Sequence, residues 1–326
     1  MIAMQAMGND SEPPAGSNLR WSSLADRSSE PAISPELFNR FQSMIYREVG
    51  IWLAAHKTAL LTGRLSRRLR LLGLSSMAEY YKLVTQPDQQ HERAIMIDCI
   101  TTNETHFFRE PRHFEFLAHS VFPRWRQQAE AGQRQKRVRI WSAGCSTGEE
   151  PYSLAMMLLK YFGSDGWDLE ILATDISTRV LEKARAALFP IDKAKEIPKD
   201  YLHEYMLKGT KEQEGLMKAS PELHKLVRFS RVNLNADSYP LTGNFDLVFC
   251  RNVLIYFDET SKKKVVSGLL RHLAPKGILF VGHSENLSGM MPNLKSIVPT
   301  VYSVLGPDGQ SHHPSPGRNF DGHGTF

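Results

Sequence analysis

The chain has 326 residues, with 40 Lys and Arg against 35 Asp and Glu and a formal net charge of +5. At roughly 150 residues per domain that length makes about two domains, and a content of 41% hydrophobic and 23% charged residues excludes wholesale disorder. No apolar run approaches the ~18–20 residues of a membrane span, so no membrane insertion is expected. The start, MIAMQAMGNDSEPP, has neither a basic n-region nor a long apolar core and does not read as a secretory signal. Cys99, Cys145 and Cys250 stand too far apart for a zinc pattern or a disulfide framework. These features predict a cytoplasmic protein with no metal site. A charge this small names no partner; its distribution is more informative.

Residues 1–31 and 306–326 are rich in Ser, Pro, Gly and Asn or His without periodicity, and read as flexible tails. Residues 32–100 read as a small helical domain. Ser34-Pro35-Glu36 is a helix start, and Phe38, Phe41, Ile45 and Val49 follow at spacings of three and four. Further helices are expected over 57–72, stopping at Gly73, and over 77–84 and 92–100. After a connecting segment at 101–115 the pattern changes to buried strands alternating with helices over 116–305. Strands are expected at 138–143, 169–174, 245–250, 277–282 and 301–305, with helices at 151–161, 178–188 and 259–273. This predicts a doubly wound, mostly parallel α/β sheet. Residues 189–224 are polar and turn-rich and read as an inserted β subdomain.

The first strand runs into Ser142-Ala143-Gly144-Cys145-Ser146-Thr147-Gly148-Glu149-Glu150-Pro151. Small residues between a strand end and a helix start let a ligand approach the backbone and expose helix N-terminal amides. The second strand ends at Asp175, beside that loop, where a carboxylate can accept both hydroxyls of a ribose. An ordinary turn followed by a helix-capping Asp fits the same residues. If a nucleoside cofactor binds here, the loop lacks G-x-G-x-x-G, and the adjacent Glu149 and Glu150 repel phosphates. NAD and ATP are thereby disfavoured, and a cofactor with a ribose and a cationic centre, S-adenosylmethionine, is favoured.

The runs TTNETHFFRE, WSAGCSTGEEPYSLA, ILATDIS, FDLVFCRNVLIYF and GHSENL, with the helical stretch GIWLAAHKTALLTGRLSRRLRLLGL, together resemble the CheR family of chemotaxis-receptor glutamate methyltransferases over about residues 35–305. The resemblance implies a Rossmann-like S-adenosylmethionine-dependent methyltransferase domain with an inserted antiparallel β subdomain, preceded by a small all-helical domain. It implies that Asn103, Thr105 and Arg109 close over the cofactor. Gly144 lies in the cofactor loop, and Glu150 and Asp175 serve the amino-acid and ribose ends. Asn233 and Leu234 flank the adenine, and Arg251 and Asn252 complete the pocket. Arg109 and Tyr256 are the catalytic candidates, the tyrosine because in the family it lies near the transferred methyl. The plainer readings are a surface pair of Arg109 with Glu104 or Glu110, a turn residue at Asn252 and a core aromatic at Tyr256. Cys145 and Cys250 read as small buried hydrophobes.

The implied reaction is esterification of receptor glutamates to γ-methyl esters, with release of S-adenosylhomocysteine. A glutamate of ordinary pKa (~4.3) is already a carboxylate at neutral pH, so a base is not needed. What is needed is alignment of an oxygen with the methyl at about 3–3.5 Å, and removal of water. The helix at 57–72 has Leu61, Leu65, Leu69 and Leu72 on one face, and Lys57, Arg64, Arg67, Arg68 and Arg70 with no acid between. A solvated face or a nucleic-acid contact fits such a run. The resemblance favours Arg64, Arg67, Arg68 and Arg70 docking onto the acidic cytoplasmic helical bundle of a chemoreceptor, with no nucleic acid and a monomeric enzyme. In some family members the β subdomain binds a receptor's C-terminal tether peptide. Here Lys211 stands where glycine is common in the loop 209–215, and that contact stays open. The alternatives are the same chemistry in a non-motility chemosensory pathway, or a non-catalytic module that senses S-adenosylmethionine and binds nucleic acid.

Overall fold

The computed structural model describes residues 33–163 and 166–305; both tails lie outside the described residues. The first helix, α1 (Pro35–Val49), starts where the Ser34 hydroxyl accepts the Leu37 N–H and ends at Gly50, whose φ of 73° closes a left-handed cap. Helices α2 (Thr58–Leu71), α3 (Met77–Val84) and α4 (Gln90–Ile100) follow. Phe41, Ile45, Leu61, Leu65 and Tyr80 make a core of their own with no solvent exposure.

Two of the four arginines expected on a docking face are turned elsewhere. Arg68 grips the buried Glu92 with two hydrogen bonds, Nε to Oε1 at 2.8 Å and Nη2 to Oε2 at 2.5 Å, and Tyr80 donates to the same carboxylate at 2.9 Å. Arg64 donates to the Ile100 carbonyl and, at 2.9 Å, to Thr102 Oγ1. Only Arg67 and Arg70 are exposed. The sequence shows no acid within α2, but Glu92 arrives from α4.

This arrangement has a pH signature. Burial raises the Glu92 pKa, but the hydrogen bonds from Arg68 and Tyr80 outweigh it and leave it lowered. A carboxyl depressed in the folded state stabilises above its unfolded pKa, and that contribution fades as pH falls through the folded value. Arg68→Leu is expected to cost about 3 kcal/mol at pH 7 by leaving a buried charge unpaired. The difference from wild type should shrink on the acid side of pH ~4. Urea unfolding at both pH values measures it; an equal loss at both would refute the pairing.

Pro111 opens helix α5 (Pro111–Phe116) inside the stretch expected to be a connection, and a π turn at Leu117–Val121 carries it into α6 (Phe122–Glu130). The alternation then sets in with β1 (Arg137–Ala143), α7 (Glu149–Phe162), β2 (Asp168–Asp175) and α8 (Thr178–Ala186). An insertion carries β3 (Leu188–Pro190), α9 (Lys199–Tyr205), β4 (Met206–Lys208) and β5 (Leu216–Ala219), the strands pairing antiparallel in the order β3-β5-β4. Then come α10 (Pro221–Leu226), β6 (Val227–Arg231), β7 (Phe245–Cys250), α11 (Glu259–Arg271), β8 (Leu273–Val281), β9 (Leu294–Val298) and β10 (Val301–Val304).

The main sheet has the order β6-β2-β1-β7-β8-β10-β9, parallel except for β10 and β9. Its central strands read as unbroken apolar runs because both faces are covered. Ile140, Leu247 and Ile278 feed one core, while Trp141, Val248 and Leu279 feed the other. The fold is thus a Rossmann-like sheet with an antiparallel β subdomain behind an all-helical unit. Strands β6 and β9 lack a clear expectation from sequence because they are sheet edges: only Val227 is fully buried in VRFSR, and none is in LKSIV.

The helical unit meets the sheet along one seam. Ile51 bridges antiparallel to Phe257, Trp52 N–H donates to the Tyr256 carbonyl, and Tyr46 Oη donates to Asp258 at 3.0 Å. Asn233 Nδ2 donates to the Glu48 carbonyl at 2.7 Å.

Candidate active site

The carboxyl ends of β1, β2 and β7 open onto one cavity that reaches to the seam, the place where open parallel sheets bind ligands. Gly144 ends β1 with φ +87°, and a Cβ there would lie 2.4 Å from Val253 Cγ2, so only glycine fits the turn. The β2 acid, Asp175, accepts the backbone N–H of Ser146 at 2.9 Å and of Ser177 at 3.0 Å. Burial raises its pKa against those hydrogen bonds. It locks the first loop and lines the cavity.

The two acids of that loop part company. Glu150 faces the cavity, taking a 2.6 Å hydrogen bond from Ser142 and a 3.1 Å ion pair from Arg251. Burial raises its pKa despite the guanidinium. Glu149, expected with it as a pocket acid, is turned away into a buried ion pair with Lys193 at 2.7 Å. Adjacent helical residues point about 100° apart, and only one can face a ligand.

The segment before α5 folds across the cavity and is pinned there. Ser146 Oγ donates to the Asn103 carbonyl at 3.0 Å, and Lys193 Nζ to the Thr105 carbonyl at 3.0 Å. Asn103, Thr105 and Arg109 line the cavity; Arg109 Nη1 donates to the Glu104 carbonyl at 3.1 Å. The carbonyl of Arg109 is held by Arg251 Nη2. From the other wall come Asn233 and Leu234, then Arg251, Asn252 and the half-buried Tyr256. The structure therefore brings all the expected cofactor and catalytic residues to one cavity. Of the expected docking arginines, none lines it.

Three residues without an assigned role in the sequence reading hold this wall together. Glu110 Oε2 receives Arg251 Nε at 3.3 Å and Nη2 at 3.1 Å, and Glu110 Oε1 receives the His283 N–H at 3.0 Å. Burial alone would raise the Glu110 pKa, but Arg251 and the His283 N–H leave it lowered. His113, 2% exposed, has its pKa pulled down to about 3 by burial and by the Arg251 charge. Glu285 accepts the backbone N–H groups of Gly282, Asn252 and Ile255 and fixes the loop after β7. Its pKa is raised by burial. Glu110 and Glu285 stand inside the runs FFRE and GHSENL, but their partners lie far away in sequence. Cys145 and Cys250 are fully buried with thiol pKa values pushed well up by burial, so neither is a nucleophile.

A glycine turn after β1, an acid ending β2 and a cavity over the strand ends define a nucleoside-cofactor enzyme of the Rossmann-like methyltransferase class. Residues 36–101 match the CheR methyltransferase all-alpha domain and residues 103–303 the CheR methyltransferase SAM binding domain. The chain is 40% identical over 273 residues to the chemotaxis protein methyltransferase of Escherichia coli, covering 84% of this chain and 92% of that protein. It is 40% identical over 269 residues to chemotaxis protein methyltransferase 2 of Pseudomonas aeruginosa, covering 82% and 92%. It is 36% identical over 272 residues to the chemotaxis protein methyltransferase of Borreliella burgdorferi, covering 83% and 94%. The chain belongs to the CheR methyltransferase family. It is a methyltransferase whose methyl donor is S-adenosylmethionine, and the cavity suits that cation. Glu150 supplies negative charge in the lining, and the buried Asn252 Oδ1 is an acceptor with no hydrogen-bond partner among the described residues.

Proposed function

We propose that the chain transfers the donor methyl to glutamate side chains on the cytoplasmic helical bundle of chemoreceptors, giving γ-methyl esters and S-adenosylhomocysteine in sensory adaptation. The relatives' names, chemotaxis protein methyltransferases, support a chemosensory acceptor. The observation that carries the choice of a carboxylate is the lining itself. Among the described residues it holds no histidine, its buried acids Glu150 and Asp175 are already hydrogen-bonded, and Arg109 and Tyr256 add donors. A carboxylate nucleophile needs donors that aim it, and it needs no base.

When bound, S-adenosylmethionine supplies a methyl activated by its cationic sulfur. Asp175 receives the ribose hydroxyls, Asn233 and Leu234 flank the adenine, and Glu150 with Asn252 Oδ1 takes the ammonium end. Arg251 keeps Glu150 in place. Arg109 and Tyr256 orient the acceptor carboxylate and exclude water from it. Incubation of a receptor cytoplasmic fragment with methyl-labelled cofactor tests this. Base-labile label on glutamates is expected, and label confined to other residues would refute it.

The exposed Arg67 and Arg70 support docking on an acidic bundle. Arg67→Gln with Arg70→Gln should raise KM for the receptor roughly 2–10-fold, the scale of two exposed ion pairs, with kcat and cofactor affinity unchanged. An unchanged KM would remove α2 from the docking surface. With Arg64 and Arg68 occupied within the protein, the basic stripe is too short to favour nucleic acid.

The tether contact also belongs to this reading. Lys211 takes φ 54°, the left-handed conformation that glycine would supply, so the loop keeps its course with a side chain added. An edge strand of β3-β5-β4 can take a receptor C-terminal peptide by β-augmentation, with calorimetry as the test. The enzyme works as a cytoplasmic monomer in this reading.

A further inference from the structure

Behind the cofactor cavity, Glu110, His113 and His283 place three potential ligand atoms within 4.8 Å of one another. The Thr300 hydroxyl lies 2.6 Å from the Pro299 carbonyl and 2.8 Å from His113 Nε2. With the hydroxyl proton on the Pro299 carbonyl, His113 carries its proton on Nε2 and Nδ1 presents a lone pair. That Nδ1 is buried without a hydrogen-bond partner and faces Glu110 Oε2 at 3.4 Å. In that tautomer two acceptors face each other, an arrangement that a cation between them relieves. Arg251 does not fill the role: Nε is spent on Glu110, Nη1 on Glu150 and Nη2 on Glu110 and the Arg109 carbonyl.

We propose that Glu110 Oε2, His113 Nδ1 and His283 Nε2 form a binding site for a zinc-class divalent cation, a site separate from the methyl-transfer cavity and independent of the acceptor. Two imidazole nitrogens and one carboxylate oxygen suit zinc and its first-row neighbours, and they do not suit calcium or magnesium, which take oxygen ligands. Tetrahedral coordination with bonds of about 2.0–2.2 Å puts ligand atoms about 3.3–3.6 Å apart. The pair His113 Nδ1 and Glu110 Oε2 is at 3.4 Å, and His283 Nε2 and Glu110 Oε2 at 3.9 Å, close to that spacing. The backbone is already set, because the His283 N–H is bonded to the other oxygen of Glu110. Outer hydrogen bonds orient the ligands: Thr300 Oγ1 holds His113 Nε2, and Arg251 and Asn252 Nδ2 fix Glu110. The His283 side chain, 55% exposed, opens the site to solvent and leaves a fourth position for water.

Titration of the full chain with zinc chloride in a calorimeter tests the site. One ion per chain is expected, and cobalt(II) should give the visible bands of a tetrahedral complex. His283→Ala, a change at an exposed side chain, should weaken binding at least tenfold with melting of the metal-free chain unchanged. A chain with His312, His313 and His323 replaced by alanine should bind as wild type does. Absence of one-to-one binding would overturn the proposal. So would equal affinity in His283→Ala, or loss of binding in the triple replacement.

Discussion

Arg251→Met is expected to abolish cofactor binding and to cost about 3–5 kcal/mol of stability, because it strands two buried carboxylates at once. Arg251 is 6% exposed, and its guanidinium joins Glu110, Glu150 and the Arg109 carbonyl. Methionine fills similar volume without charge, so the effect isolates the loss of pairing from the loss of packing. Glu150 would then keep the desolvation that raises its pKa and lose the charge that opposes it, so it would hold a proton more readily and stop attracting a cationic ligand. The carbonyl of Arg109 would lose its anchor, loosening the segment that covers the cavity. A fall in Tm of roughly 4–7 °C follows from that energy for a chain of this size. Scanning and titration calorimetry on one preparation measure both effects; wild-type values for either would contradict the role given to Arg251.

Arg109→Ala should act on turnover instead of on the fold. Its side chain is half-buried at the cavity wall, and among the described residues its one side-chain hydrogen bond goes to the Glu104 carbonyl. Little structural energy therefore depends on it. In the proposed role the guanidinium aligns the acceptor carboxylate and replaces its hydration, and losing such a positioned donor lowers kcat roughly 10²–10³-fold. Arg109→Lys should recover little, since an ammonium lacks the planar fork that fixes a carboxylate in two places. Single-turnover transfer to a receptor fragment separates the effects. A loss confined to cofactor affinity would reassign Arg109 to cofactor closure alone.

These two arginines show where sequence is legible and where it stops. Local rules place α1, α3 and β7 at their observed ends: Ser34 and Ser76 cap helices, Gly50 closes one, and FDLVFC is buried on both faces. The loop at Gly144 and the acid at Asp175 are legible because their chemistry is adjacent in sequence. Edge strands β6 and β9 are not, because half their residues meet water and an apolar pattern does not form. The direction of a side chain is illegible wherever its partner is remote. Arg68 looks like surface charge until α4 supplies Glu92, and Glu149 looks like its neighbour until the insertion supplies Lys193. Glu110 is a bare motif letter until His283, well over a hundred residues on, closes on it.

The seam between the helical unit and the sheet has a thermodynamic consequence. Its bonds, Ile51 to Phe257, Trp52 to Tyr256 and Asn233 to Glu48, involve residues of the cavity wall or their immediate neighbours, and that wall draws on both units. Ligand in the cavity and an acceptor docked on the helical face, as proposed, thus bear on one joint. Linkage requires that any factor by which the cofactor changes acceptor affinity is returned, equal in size, to the cofactor by the acceptor. With that docking mode, any such factor makes an enzyme carrying spent donor hold its receptor differently from one carrying methyl donor.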